Sequence, residues 1–263
     1  MTVLRAHADV TVVVSRLWET TATLVRAAGG GPALLVDAPV LPGEIAATRD
    51  LAAADGLAVD RLLATHRHWD HLLGRSAFPA AELLCSPRTL AHLRAEPLAT
   101  QRAMAGFDDR FYLRRPEALR LDHARAVELP GPLALGNAAV ELLPTAGHCD
   151  DGLAVWVPWA RALVCGDYLS PVELPYLEAP DGSLAEYLAT LDRLAELVAA
   201  ADVVIPGHGF PMDRADARVL LDADRRYLLD LAERGGAAAM PRGEDSAFQR
   251  FIHAENARIS AAA

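Results

Sequence analysis

The segment Thr65-His66-Arg67-His68-Trp69-Asp70-His71 crowds three imidazoles and one carboxylate into consecutive turns of chain. Neutral imidazole nitrogen suits zinc and iron, and carboxylate oxygen can join it as a ligand. The run before it, Val59 to Thr65, is apolar enough to read as a strand. The cluster therefore sits on the loop leaving a strand's C-terminal end, where open α/β proteins place their sites. In an extended segment the alternate residues His66 and His68 point the same way, while Asp70 and His71 turn to another side. One short loop can thus serve two adjacent metals.

Three later segments repeat the pattern of apolar strand, small residue and ligand. Ala138 to Thr145 leads through Ala146-Gly147 to His148. Arg161 to Cys165 leads through Gly166 to Asp167, and Asp202 to Pro206 leads through Gly207 to His208. A glycine beside each ligand lets the backbone turn sharply or approach closely. Upstream, Ala33 to Val36 ends in Asp37 in the same manner.

The ordered set from Asp37 through His208 resembles the metallo-β-lactamase superfamily. That resemblance implies an α+β fold, a four-layer αβ/βα sandwich of two mixed β-sheets flanked by helices. It implies that His66, His68 and His148 hold one metal, that Asp70, His71 and His208 hold a second, and that Asp167 bridges them. Asp37 would stand behind the ligand loop and orient it, as outer carboxylates do for metal-bound histidines. The implied cofactor is two divalent metal ions, Zn2+ first, with Mn2+ or Fe2+ also compatible with these donors. Two such ions sit roughly 3.5–4 Å apart and share a hydroxide, since binding lowers the pKa of water from about 15.7 toward 7. That hydroxide is the expected nucleophile, and Asp70 is the expected catalytic proton carrier.

The remaining composition fits an enzyme of small molecules. A chain of 263 residues, 52% hydrophobic, can bury the core of a single α/β domain. With 25 basic against 35 acidic residues the net charge is -10, which argues against partners such as nucleic acid or anionic membrane. All 25 basic residues are arginine, so lysine Schiff-base chemistry is excluded. Cys85, Cys149 and Cys165 form no C-x-x-C pair and are odd in number, which reads as a reducing compartment. No signal-peptide pattern and no long uncharged apolar run is seen, so a cytoplasmic location is expected.

Along the chain, strands are expected at Thr11 to Ser15, Trp18 to Arg26, Ala33 to Asp37, Val59 to Thr65 and Ala81 to Ser86. Leu133 to Leu135, Ala138 to Thr145, Leu153 to Val157, Arg161 to Cys165 and Asp202 to Pro206 follow. Helices are expected from Pro42 to about Ala54, Pro87 to Arg94, Ser183 to Ala200, Asp213 to Arg234 and once more before Ala261. One domain, 1–263, is expected, with a C-terminal helical extension at about 213–260. The segment from Glu96 to Pro130 shows no clear strand and carries Phe107, Arg110, Phe111, Tyr112 and Arg115, a surface stretch or a lid over the site.

The expected activity is hydrolysis of a small-molecule ester, thioester or lactone. Glyoxalase II and the persulfide dioxygenases carry a glycine- and arginine-rich stretch after the bridging aspartate. Here Tyr168 to Pro175 stands instead, which speaks against glutathione thioesters. β-Lactamases of the superfamily lack that aspartate, so β-lactam hydrolysis is a weaker reading, as is phosphodiester cleavage. A mononuclear non-haem iron sulfur dioxygenase is the alternative that uses the same ligand types. Trp69, Tyr168 and Tyr176 are the expected pocket walls, each with ordinary packing as its alternative. Cys149 is expected behind the ligand turn, and Asp150 and Asp151 as caps of the next element. His253 is either a distant arm of the site or a surface residue, and His7, His92 and His123 have no supporting context.

Overall fold

The computed structural model describes residues 1–262, so residue 263, the end of the expected domain, lies outside the described residues. Strands β1 (Thr2–His7), β2 (Val10–Val14), β3 (Thr21–Arg26) and β4 (Pro32–Val36) open the chain as an antiparallel meander. Helix α1 (Pro42–Ala54) starts on a proline whose missing N–H costs nothing in a first turn. It returns the chain to β5 (Ala58–Leu63), which pairs parallel with β4. Next come β6 (Glu82–Cys85), α2 (Pro87–Ala95), α3 (Ala99–Phe111) and the two-residue β7 (Arg125–Ala126). These strands form a seven-stranded sheet in the order β1 to β7.

The second half repeats the plan. It holds β8 (Gly131–Leu135), β9 (Ala138–Pro144), β10 (Leu153–Val157), β11 (Ala162–Val164), α4 (Leu184–Ala200), β12 (Val203–Ile205), α5 (Arg214–Arg234) and α6 (Ala247–Ala262). The second sheet runs β12-β11-β10-β9-β8, with β11 and β12 parallel and the rest antiparallel.

Period-two alternation sorts the side chains between layers. Val10, Val12 and Val14 of β2, Leu34 and Val36 of β4, and Leu63 of β5 pack against Leu153, Val155, Val157 and Val164 of the other sheet. Their neighbours Val13, Leu35 and Leu62 face outward onto α1, and Ala154 and Leu163 face α4 and α5. Both sheets are therefore covered on both faces, which explains why these strands read as nearly unbroken apolar runs. The result is the expected four-layer sandwich of two mixed sheets between helices.

Three local expectations need correction. Trp18 and Glu19 adopt left-handed φ of 57° and 49°, so the strand expected from Trp18 begins only at Thr21. Strand β1 carries no alternating signal because it is an edge strand with few fully covered residues. The stretch expected to lack strands holds β7, which pairs with Leu84 and Cys85 and is too short to read from sequence. Helix starts follow the sequence closely: Ser86, Ser183 and Asp213 accept backbone N–H bonds from Thr89, Glu186 and Asp216. Among the described residues no helix is long and apolar enough to cross a membrane.

Candidate metal centre

Asp37 is the anchor of the ligand loop. It ends β4 with φ +57°, a conformation aspartate tolerates better than most residues. Its carboxylate accepts from the Thr65 N–H (2.8 Å), the Thr65 hydroxyl (2.8 Å) and His71 Nδ1 (2.9 Å). The Thr65 hydroxyl, having donated its proton, is left to accept from His66 Nδ1 at 3.0 Å. His148 Nδ1 donates to the Tyr176 carbonyl (2.7 Å) and His208 Nδ1 to the Trp18 carbonyl (3.0 Å). In all four residues Nδ1 is engaged on the protein side, which leaves Nε2 facing the centre.

His68 is turned the other way round. Its Nδ1 lies 2.8 Å from His66 Nε2 and 3.1 Å from His148 Nε2, while its Nε2 lies 2.9 Å from the Glu178 carboxylate. The site thus gathers His66, His68, His148 and Asp167 in one cluster and Asp70, His71 and His208 in a second. Asp167 spans both. Its Oδ2 is 3.5 Å from His66 Nε2, 3.4 Å from His148 Nε2 and 3.5 Å from His208 Nε2. Its Oδ1 is 3.2 Å from His71 Nε2. Asp70 Oδ2 stands 3.5 Å from both His71 and His208 Nε2.

The donors fit metal ions. Buried His71 Nε2 and Asp167 Oδ1 face each other at 3.2 Å, yet neither makes a well-directed hydrogen bond among the described residues. Leaving such groups unmade costs about 1–3 kcal/mol each, more when charged. Convergence of nitrogen and oxygen donors at van der Waals distance is what divalent cations require and what packing alone disfavours. Glycines make the approach possible: a Cβ on Gly207 would collide with Asp167 Oδ1 and the Gly166 backbone.

The electrostatics divide the two clusters. Burial, together with the neighbouring His71, holds His66 well below the ordinary imidazole range, and burial beside His68 lowers His148. Burial opposes protonation of His71 and His208 too, but surrounding carboxylates outweigh it. His71 is held well above its usual value by Asp167, Asp70 and Asp37, and His208 is pushed up to about 10 by Glu173 and Asp167. Burial resists ionisation of Asp167, yet His71, His208 and His66 hold its carboxyl well below the usual carboxylate range. A divalent cation entering here would displace the imidazole protons.

An open cavity of about 410 Å³ leads to these donors. Trp69 and Tyr176 line it. Tyr168 does not. It is 2% exposed, accepts from the His148 N–H at 3.1 Å and donates to the Ala146 carbonyl at 2.7 Å. Its expected place in the pocket wall is therefore replaced by a brace behind the His148 turn, because the residue after Asp167 points back under the sheet edge.

Residues 16–208 match the family model described as the metallo-beta-lactamase superfamily, well over half of the chain. The chain belongs to the metallo-beta-lactamase superfamily. It is similar to a hydroxyacylglutathione hydrolase of Methylobacterium sp. (strain 4-46), 25% identical over 252 residues, covering 91% of this chain and 85% of the relative. A second hydroxyacylglutathione hydrolase, from Ruegeria pomeroyi, is 26% identical over 236 residues, covering 88% and 80%. Among solved structures the DIM-1 metallo-beta-lactamase superposes with a TM-score of 0.62 at 16% identity, covering 84% of this chain and 95% of that one. Family and relatives together make the chain a metal-dependent hydrolase.

Several residues of this superfamily member escaped sequence reading. Glu178, partner of His68, lies far along the chain with no motif around it. Arg67, between two of the imidazoles, pairs with Asp151 and Asp181 at 2.9 Å each and so ties the ligand loop to two other loops. Asp150 pairs with Arg88 and His92, and Asp151 accepts from Thr89, so both tie the loop to α2 instead of capping the next element, β10. The further grouping of His92, Asp150 and Asp181 is neutralised by Arg67 and Arg88. His253 bonds Tyr227 and Gly236, which fixes it away from the centre. Cys149 is fully buried, as expected.

Proposed function

We propose that this chain is a dinuclear hydrolase of a small ester, thioester or lactone, with His66, His68 and His148 as ligands of one ion and Asp70, His71 and His208 as ligands of the other. The observation that carries this reading is Asp167, whose carboxylate stands 3.4–3.5 Å from His66 and His148 of one cluster and 3.2–3.5 Å from His71 and His208 of the other. Two divalent ions, zinc first among them, would supply Lewis acidity and water activated near neutral pH. The chain's own contribution is orientation. Asp37 and Thr65 hold His71 and His66 in the tautomer that leaves Nε2 free, and Glu178 does the same for Nδ1 of His68. Asp70 lines the cavity, which supports a role in passing a proton to the leaving group. The names of the relatives bring thioester cleavage into the range of this proposal. Three free, buried cysteines support a reducing, cytoplasmic setting.

Metal analysis of protein purified without added metal tests the reading. About two zinc or manganese ions per chain are expected, falling to about one in His208→Ala, with ester or thioester turnover lost in Asp167→Ala. One iron per chain together with oxygen uptake on a sulfur substrate would replace the hydrolase by the mononuclear oxygenase.

A further inference from the structure

Above the donors the cavity changes character. Trp18 and Trp69 line it and pack on Phe107 behind them, with ring centroids 4.9 Å apart for Trp18 and Phe107 and 4.6 Å for Trp69 and Phe107, and Phe111 extends this aromatic cluster at 4.7 Å from Phe107. Ala99 and Ala103 of α3 keep the adjoining wall small and apolar. Phe248 of α6 lines the same cavity and stacks on Phe251. Trp18 is 40% exposed and Phe248 47%, so large apolar surfaces meet water at the entrance. Scattered exposed apolar residues need no explanation, but a contiguous patch around a cavity marks a binding surface. Trp18 also holds a left-handed backbone, unfavourable for a bulky residue, and its carbonyl accepts from His208 Nδ1. The residue that presents the indole to the mouth is therefore the same one that orients a ligand at the floor.

Charged groups above the donors are few. Asp70 and Asp167 belong to the donor set and Glu178 pairs with His68, which leaves Glu173, and Arg67 is the single guanidinium among the described lining residues. Arg67 is already committed to Asp151 and Asp181. Above the donor set, a substrate group bearing carboxylates would find no uncommitted arginine to receive it.

From this juxtaposition we infer that the cavity selects an ester, thioester or lactone whose larger substituent is uncharged and apolar, an alkyl or aryl group seated between the Trp18–Trp69 wall and Phe248. The inference rests on the hydrolase reading for its chemistry and adds the substrate class. It separates this chain from conjugates of an anionic peptide thiol such as glutathione, the substrate type in the names of its relatives.

The test uses the metal-loaded enzyme and 4-nitrophenyl esters from acetate to octanoate, with the carboxylate-ended adipate monoester set against hexanoate. Full burial of a methylene favours binding by up to about fourfold. In this open cavity, kcat/KM is expected to rise at least tenfold from acetate to octanoate, mainly through KM, and to fall at least tenfold from hexanoate to adipate. Phe248→Ala, alone and with Trp18→Ala, should flatten the chain-length dependence while metal content stays the same. An active enzyme with a flat or inverted series, or one that prefers a hydroxyacylglutathione, overturns the inference and leaves the hydrolase reading standing. If no ester is cleaved, the ester branch of the hydrolase reading falls, and titration with octanamide, read by tryptophan emission, decides the cavity separately. A saturable change with octanamide but not with adipamic acid supports the apolar site, and no change overturns it.

Discussion

At the floor of the site each imidazole has one nitrogen fixed by a named partner, whereas at the mouth Trp18 and Phe248 leave two-fifths or more of their surface in solvent. The floor is built from strand ends of both sheets, bound to one another across the sandwich by the Thr21 N–H to Gly207 carbonyl bond of 2.8 Å. The mouth is built from a loop, the helix α3 and the last helix α6. Geometry at the floor must hold to fractions of an ångström for ligands to converge, so its groups are buried and hydrogen-bonded. The mouth need only present apolar surface, and few hydrogen bonds specify it. On the proposed reading, the floor sets the reaction class and the mouth sets the substrate range.

The sharpest way to break the comparison is to loosen the floor. Asp37→Ala leaves the Thr65 N–H, the Thr65 hydroxyl and His71 Nδ1 without their buried acceptor. A loss of about 2–4 kcal/mol is expected in chemical denaturation, along with metal affinity lower by about 10–100-fold. Competition with a chromogenic chelator measures the second effect. Unchanged affinity would show that Asp37 does not orient the loop.

A smaller effect lies between floor and mouth. Arg242 donates to the Glu173 carbonyl, holding a wall residue, and its Nη1 stands 2.7 Å from buried Asp224 on α5. Burial pushes the Asp224 carboxyl up to about 6 despite the opposing pull of Arg242. The folded state therefore binds that proton more tightly than the unfolded chain does. The resulting stabilisation is fully present below the unfolded value, about 4, and is lost as pH rises through about 6. The stability of the wild type relative to Asp224→Asn should accordingly fall from pH 4 to pH 7, by on the order of 2 kcal/mol. Urea midpoints at several pH values read it, and a difference that stays flat or grows with pH would refute the assignment.

The smallest effect belongs to the aromatic cluster that backs the mouth. Phe111 is 43% exposed and touches Phe107 and Arg110. Phe111→Ala should cost less than about 1 kcal/mol, since little area is freshly exposed, with unchanged metal content. A large loss of either would mean that the mouth supports the floor, and the contrast drawn between them would dissolve.

The same contrast explains what could be read from the chain. His66, His68, Asp70 and His71 were legible because one loop delivers them, and His148, Asp167 and His208 because each follows an apolar strand and a glycine. Glu178 was not legible: it reaches His68 from a loop without repeating pattern, and only the packing of that loop brings it within 2.9 Å. Trp18 was read as a strand residue because apolar alternation cannot register two consecutive left-handed residues. Tyr168 was assigned to the pocket by its position next to Asp167. The direction of its side chain depended on the turn after β11, where Leu169 has φ +57°.

What the sequence by itself determined is therefore the donor set, the strand-helix alternation and the layer to which each strand face belongs, since these follow from residue type and from periods of two and 3.6. Tertiary structure alone decided which nitrogen of each imidazole faces inward, that Asp167 lies between two clusters, and that aromatic residues 18, 69 and 248 share one entrance. Those relations join residues far apart in the chain. Local propensity carries no information about them, because they are fixed only when the two sheets close on their common core and bring the strand ends together.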